Sequence, residues 1–144
     1  MGYNMEQTDA KFTILAANRR PCLAAIKSLI GKGTCRDSSG AHFAWVEDED
    51  IEAARTVDAA FDAWGWGLIS RPPSDEDPTA GDVTGIHFEA EKMGDEETLF
   101  AAVAPYVEPG SYIEMLGEDG DRWRWAFDGR TCKEIHAETR WPHA

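Results

Sequence analysis

Basic residues are scarce in the middle of this chain of 144 residues, where residues 41–121 contain 21 Asp or Glu and three Lys or Arg. That segment has a net charge of −18, whereas residues 1–40 and 122–144 have net charges of +3 and +2. The whole chain has a net charge of −13. Such a charge repels nucleic acids and anionic membranes, and it attracts basic partners.

Long apolar runs are also absent, since none approaches the roughly 20 residues that a transmembrane helix needs. The first residues lack the basic and apolar regions of a signal peptide. The three cysteines, Cys22, Cys35 and Cys132, are odd in number and form no CxxC pair. A disulfide framework is therefore not expected, although a single disulfide stays open. We expect one soluble domain over residues 1–144, in a reducing cytoplasm.

Hydrophobic residues make up 42% of the chain and include six Trp, which is enough for a core. Apolar periodicity predicts an α+β fold with a mostly antiparallel sheet, about three helices and the order β-α-β-α-β-β-α-β-β-β. The predicted strands are 11–15, 42–46, 66–70, 84–91, 111–116, 122–128 and 132–141. The predicted helices begin at Asn18, at Asp48 or Asp50, and at Asp95; the first ends at Gly31 or Gly33.

Several local patterns refine this prediction. The prolines of residues 71–82 indicate a long exposed loop, and Pro105 should kink the third helix or loosen its last turn. Asp119-Gly120 and Asp128-Gly129 predict hairpin turns that join the last three strands into a meander. A single helical face is predicted to contain Ala54, Val57, Phe61 and Trp64.

Alternating aromatic residues, Trp123, Trp125 and Phe127, are flanked by Arg122 and Arg124. This pattern resembles a platform for single-stranded nucleic acid, but alternating aromatics on a strand usually belong to the core. The negative charge also disfavours a polyanion. We therefore expect core residues here, with Arg122 and Arg124 placed to pair across the meander with Glu114.

Catalytic and metal-binding motifs are not found. The four His lack metal-ligand spacing, and the acidic run after Glu47 lacks the glycine and twelfth-position glutamate of an EF-hand. We expect no catalytic residues, no metal and no cofactor. The alternative is a small enzyme or a ligand- or metal-binding protein that uses His87, Glu89 and Glu91 on one face of a strand.

A resemblance adds context. Residues 88–97 (FEAEKMGDEE), 104–107 (APYV), 110–115 (GSYIEM), 117–120 (GEDG) and 123–127 (WRWAF) follow an opening GYNM. Together they resemble a family of small uncharacterised acidic proteins from bacteria, phages and mobile elements; residues 31–83 do not share the resemblance. It implies no catalytic residues. It implies a bacterial host, and binding to a host protein.

We therefore expect a non-enzymatic, protein-binding module whose acids occupy a basic surface of a host protein. One form of this function is a phage- or mobile-element-encoded, anti-defence inhibitor that mimics nucleic acid. An immunity protein against a basic toxin, or acids that confer solubility alone, are the alternatives. The expected partner is a basic host protein, and nucleic-acid-binding proteins are one class that fits. The candidate contact residues are Glu47, Asp48, Glu49, Asp50, Asp75, Glu76, Asp77, Glu118 and Asp119.

Overall fold

The computed structural model describes residues 3–29, 52–70, 81–90 and 96–137. Its strands are β1 (Met5–Lys11), β2 (Trp66–Ser70), β3 (Val83–Phe88), β4 (Tyr112–Gly117), β5 (Arg122–Phe127) and β6 (Cys132–His136). Its helices are α1 (Arg19–Lys27), α2 (Val57–Ala63) and α3 (Glu96–Val103), with 3-10 turns at Ala16–Asn18 and Ala104–Tyr106.

The strands form two antiparallel sheets, one of four strands in the order β1-β4-β5-β6 and one of two strands, β2 and β3. The predicted α+β class and the order of elements are therefore confirmed. The predicted strand at 42–46 and most of the predicted loop at 71–82 lie outside the described residues. No helix among the described residues combines the length and apolar character needed to cross a membrane.

The first strand lies earlier than predicted. We expected it at residues 11–15, where Phe12 and Ile14 alternate with polar residues, but β1 ends at Lys11. Phe12 and Ile14 are fully buried, and Ile14 forms only an isolated bridge with Val83. The sequence of β1, MEQTDAK, is mostly polar because this strand lies at the edge of its sheet and has a solvent-facing side.

Gln7 joins the two sheets. Its Nε2 donates a hydrogen bond to the Ile86 carbonyl at 2.9 Å, and the Phe88 N–H donates to its Oε1 at 2.8 Å. Ile86 and Phe88 belong to β3, whose other edge pairs with β2. The side-chain amide thus takes the place of a neighbouring strand's backbone, and it satisfies two polar groups that would otherwise lie unpaired between the sheets.

Two predicted helix boundaries were wrong. The first helix ends at Lys27 rather than at Gly31 or Gly33. The helix predicted from Asp48 or Asp50 does not run unbroken to Trp64, because α2 starts at Val57. The Thr56 hydroxyl accepts a hydrogen bond from the Ala59 N–H at 3.1 Å, and this cap fixes the start.

The predicted burial pattern of this region is nevertheless correct, since Ala54, Val57, Phe61 and Trp64 are all buried. Farther along, α3 ends at Val103 and Pro105 lies in the 3-10 turn that follows, as expected from its missing N–H group.

The C-terminal meander forms as predicted. Gly120 and Gly129 have φ angles of 87° and 92°, the left-handed conformation that hairpin turns need. The third strand of the meander is shorter than predicted, because β6 ends at His136 rather than Trp141. Strand β3 likewise ends at Phe88 rather than at Glu91.

Aromatic rings fill the core between the sheets and helices. Trp66, Phe100 and Trp125 pack together with ring centroids 4.9–6.1 Å apart. Trp123, Trp125 and Phe127 are at most 3% exposed, so the core interpretation of this stripe is confirmed. Among the described residues, the buried indole N–H groups of Trp64, Trp66, Trp123 and Trp125 have no hydrogen-bond acceptor. These rings stabilise the fold by apolar burial and ring packing.

Replacing Gln7 with Ala should lower the free energy of unfolding by about 2 kcal/mol, because two backbone groups of β3 lose their partner at about 1 kcal/mol each. Urea unfolding measures the change. Glu6→Ala is the matched control, since Glu6 is the exposed neighbour on the same strand and forms no side-chain hydrogen bond within the described residues. Equal stability of the two variants would contradict the bridging role of Gln7.

Candidate functional site

The turn between β4 and β5 concentrates carboxylates at one end of the four-stranded sheet. The Gly117 N–H donates to the Asp121 carbonyl at 2.8 Å, which closes the turn. Glu118 is held against the start of β1 by two hydrogen bonds of 2.9 Å: its N–H donates to the Asn4 carbonyl, and the Asn4 N–H donates to Glu118 Oε1. Glu118 and Asp119 remain exposed.

Tyr3 fixes Asp119. The Tyr3 hydroxyl donates a hydrogen bond to Asp119 Oδ1, and the Asp121 N–H donates to the same oxygen at 3.0 Å. The bond to the carboxylate raises the pKa of Tyr3 to about 12 and lowers the pKa of Asp119. Tyr3 lies across Gly117, where any β-carbon would collide with the phenol ring. Glycine at this position therefore allows the contact.

His136 connects two further carboxylates. Its Nδ1 lies 2.9 Å from Asp121 Oδ2 and its Nε2 lies 2.9 Å from Glu134 Oε2. Because ionised carboxylates only accept hydrogen bonds, both ring nitrogens donate when the ring is an imidazolium. The hydrogen bond with Glu134, followed by the charge of Asp121, raises the pKa of His136. The imidazole also stacks on Trp123, with ring centroids 6.1 Å apart.

These groups form what we call the acidic hairpin site, which consists of Tyr3, Glu118, Asp119, Asp121, Glu134 and His136. Five of the six, without Glu118, line an open cavity of about 300 Å³ whose floor is Trp123. This volume is at the lower limit for small-molecule pockets, so it suits one side chain better than a cofactor. With three carboxylates and one imidazole on its walls, the cavity favours a cationic group.

A second open cavity, of about 320 Å³, also has Trp123 and His136 among its lining residues. Its charged lining residues besides His136 are Glu114, Arg122 and Arg124. Arg124 Nε donates to Glu114 Oε1 at 2.9 Å, which confirms the predicted cross-strand pair, whereas Arg122 lies opposite Leu116 in the register. The first cavity is therefore lined mainly by acids, whereas the second has two arginines and one glutamate.

The structure describes two of the nine predicted contact residues, Glu118 and Asp119, and places them together in the acidic hairpin site. The other seven lie outside the described residues: Glu47, Asp48, Glu49, Asp50, Asp75, Glu76 and Asp77.

Sequence reasoning missed Glu134 and His136. Their spacing of two residues places them on one side of a strand, but the sequence does not reveal that this side carries Trp123 and Trp125 on the adjacent strand.

The alternative site of His87, Glu89 and Glu91 is only partly described, because Glu91 lies outside the described residues. His87 and Glu89 are exposed, and the Glu89 carboxylate lies over Gly67 on β2. Within the described part of the chain, no three His, Cys, Asp or Glu side chains are arranged to hold a metal ion.

The described cysteines, Cys22 and Cys132, are free thiols, and Cys35 lies outside the described residues. Burial raises the pKa of both Cys22 and Cys132 to about 12. Both thiols therefore stay protonated at neutral pH, which makes them poor nucleophiles.

Comparison with models of protein families, with curated proteins and with solved structures finds no match to this chain. The resemblance to small acidic proteins of phages and mobile elements stays a prediction, and the acidic hairpin site must be interpreted from its chemistry.

The link between His136 and its carboxylates predicts a pH dependence of stability. Because the pKa of His136 is raised in the folded state, the protonated ring stabilises the fold below the ordinary histidine pKa, and this contribution is lost as pH rises through the folded-state value. We expect the thermal midpoint of the wild type to exceed that of His136→Gln at about pH 6 and to approach it at about pH 9. A pH-independent difference would contradict the ion pairs.

Proposed function

We propose that this chain is a non-enzymatic binding module that places its carboxylates against a basic surface of a partner protein. The observation that carries the proposal is the acidic hairpin site, where three carboxylates line an open cavity and two of them, those of Asp121 and Glu134, pair with the His136 imidazole. The partner that fits this chemistry carries exposed Lys or Arg side chains, as nucleic-acid-binding surfaces do.

The carboxylates of the site are not neutralised by Lys or Arg within the described residues. The arginine pairs found there are Arg19 with Asp58 and Arg124 with Glu114, both away from the β4–β5 turn. The negative charge of these carboxylates is part of the chain's net charge of −13. A concentrated negative field of this kind accelerates encounter with a basic partner and disfavours acidic ones.

The site is also held in place before it binds. Asp119 accepts hydrogen bonds from Tyr3 and from the Asp121 backbone, and Glu118 is bound to Asn4 on β1. Fixed side chains lose little conformational entropy on binding, so more of the interaction energy contributes to affinity. Acids that served only solubility would not require such anchoring.

A Lys or Arg side chain of the partner fits the cavity in front of Trp123. Its cationic end would lie among Asp119, Asp121 and Glu134, and its aliphatic part would contact the aromatic floor. The acidic runs at 47–50 and 75–77 are proposed as further contacts that extend this surface. A nucleic-acid-binding protein of a bacterial host, including one that acts in defence, and a basic toxin both present such side chains.

The test begins with the immobilised chain in a bacterial lysate. A basic protein should be retained at low ionic strength and released at high salt, because exposed ion pairs are screened. With the captured protein purified, Glu118→Lys combined with Glu134→Lys should weaken its binding by about tenfold or more. Lysine at 47, 48, 49 and 50 should abolish binding while circular dichroism shows an unchanged fold.

The control for the hairpin variant is Asp62→Lys combined with Glu97→Lys, two exposed acids on α2 and α3 that do not line the site and that give the same change in net charge. The control should bind nearly as the wild type does. Equal losses in both variants would mean that overall charge, not this surface, attracts the partner. Unchanged binding in all variants would refute the proposal.

A further inference from the structure

A third open cavity, of about 260 Å³, is basic although the protein is acidic. It lies between the start of α1 and the start of α2, and Arg19, Arg20 and Arg55 provide its charged lining. The other lining residues are Ala16, Leu23, Thr56 and Val57. None of the described residues that line this cavity carries a carboxylate, whereas Asp and Glu outnumber Lys and Arg by 27 to 14 in the chain.

The guanidinium group of Arg19 is bound to other residues of the protein. Its guanidinium pairs with Asp58 and donates to the Ser70 hydroxyl at 3.2 Å and to the Gly81 carbonyl at 2.9 Å. Ser70 in turn donates to Asp58 Oδ2 at 3.1 Å. This network ties α1 to α2, β2 and the segment before β3. Arg19 therefore shapes one wall of the cavity, but Asp58 neutralises its charge.

Arg20 and Arg55 differ from Arg19 in this respect. Both are exposed, and within the described part of the chain neither forms an ion pair or a side-chain hydrogen bond. They lie on different elements, Arg20 on α1 and Arg55 just before α2. Two guanidinium groups at one cavity that have no counterion among the described residues would repel each other, and an anion bound between them would relieve this repulsion.

We propose that this cavity, the arginine cleft, binds the phosphate group of a small phosphorylated compound between Arg20 and Arg55. A phosphate monoester carries a charge of about −1.5 to −2 at neutral pH, which matches the charge of the two guanidinium groups. Guanidinium forks donate paired hydrogen bonds to phosphate oxygens. A monocarboxylate has half this charge and would leave one arginine unpaired.

The volume and the lining residues of the arginine cleft indicate the size of the ligand. The cavity is smaller than the roughly 300–1,000 Å³ that drug-sized ligands occupy, so it suits a phosphate with a short attached group. Leu23 and Val57 offer apolar contact to that group. Nucleic acid is disfavoured, because the net charge of −13 repels a long polyanion. A small ligand in the cleft, by contrast, is acted on mainly by charges within the Debye length of about 8 Å.

The experiment is an NMR titration of the full chain with inorganic phosphate and, separately, with O-phosphoserine at constant ionic strength. Amide signals of α1 and of residues 55–57 should shift in a saturable way. Stronger binding of phosphoserine would indicate that the attached group contacts the cleft, and equal binding would indicate recognition of phosphate alone; both support the site. Acetate should bind at least about tenfold more weakly, since it pairs with one guanidinium only.

Arg20→Gln combined with Arg55→Gln should weaken phosphate binding by about tenfold or more, and lysine at both positions should restore part of it. Arg130→Gln is the control, since Arg130 is an exposed arginine in the β5–β6 turn and does not line the cleft. Both arginines of the cleft are exposed, so the double variant should fold, which circular dichroism can check. A linear, non-saturating response, or equal binding by the double variant, would overturn the proposal.

Discussion

The two sheets share one interaction on which the rest of the structure depends, the contact of the Gln7 amide with β3. Strand β3 pairs with β2 along one edge, and Gln7 satisfies backbone groups of Ile86 and Phe88 along the other. The aromatic core fills the space that this contact closes, with Trp66 from one sheet packed against Trp125 from the other. Without the amide, two polar groups would face that apolar interface unpaired.

Strand β1 connects this contact to the acidic hairpin site. The segment that places Gln7 between the sheets also places Tyr3 and Asn4 beside the β4–β5 turn. The carboxylates are therefore fixed by the fold itself. The arginine cleft lies elsewhere, between α1 and α2, and the Arg19–Asp58 network positions it. Different contacts therefore hold the acidic hairpin site and the arginine cleft in place. Substitutions can change one of these two surfaces without changing the other.

Local patterns predicted much of the fold. Asp-Gly turns, the helical face that ends at Trp64 and the strand at 66–70 all follow from spacing within a few residues. Strand β1 was misplaced, because an edge strand with a polar face lacks the alternation that identifies buried strands. In the site, Glu118 and Asp119 were predicted from composition. Glu134, His136 and Tyr3 were not, since cross-strand register and long-range pairing bring them there.

The pairing of β1 with β4 also affects the order in which the chain can fold. Asn4 and Glu118, which are hydrogen bonded, lie 114 residues apart along the sequence. A ribosome therefore completes β1 long before its partner strand exists, and the four-stranded sheet must wait for the C-terminal meander. Contacts this distant slow folding. Until then the polar composition of β1 is an advantage, because a nascent segment such as MEQTDAK offers little apolar surface for aggregation.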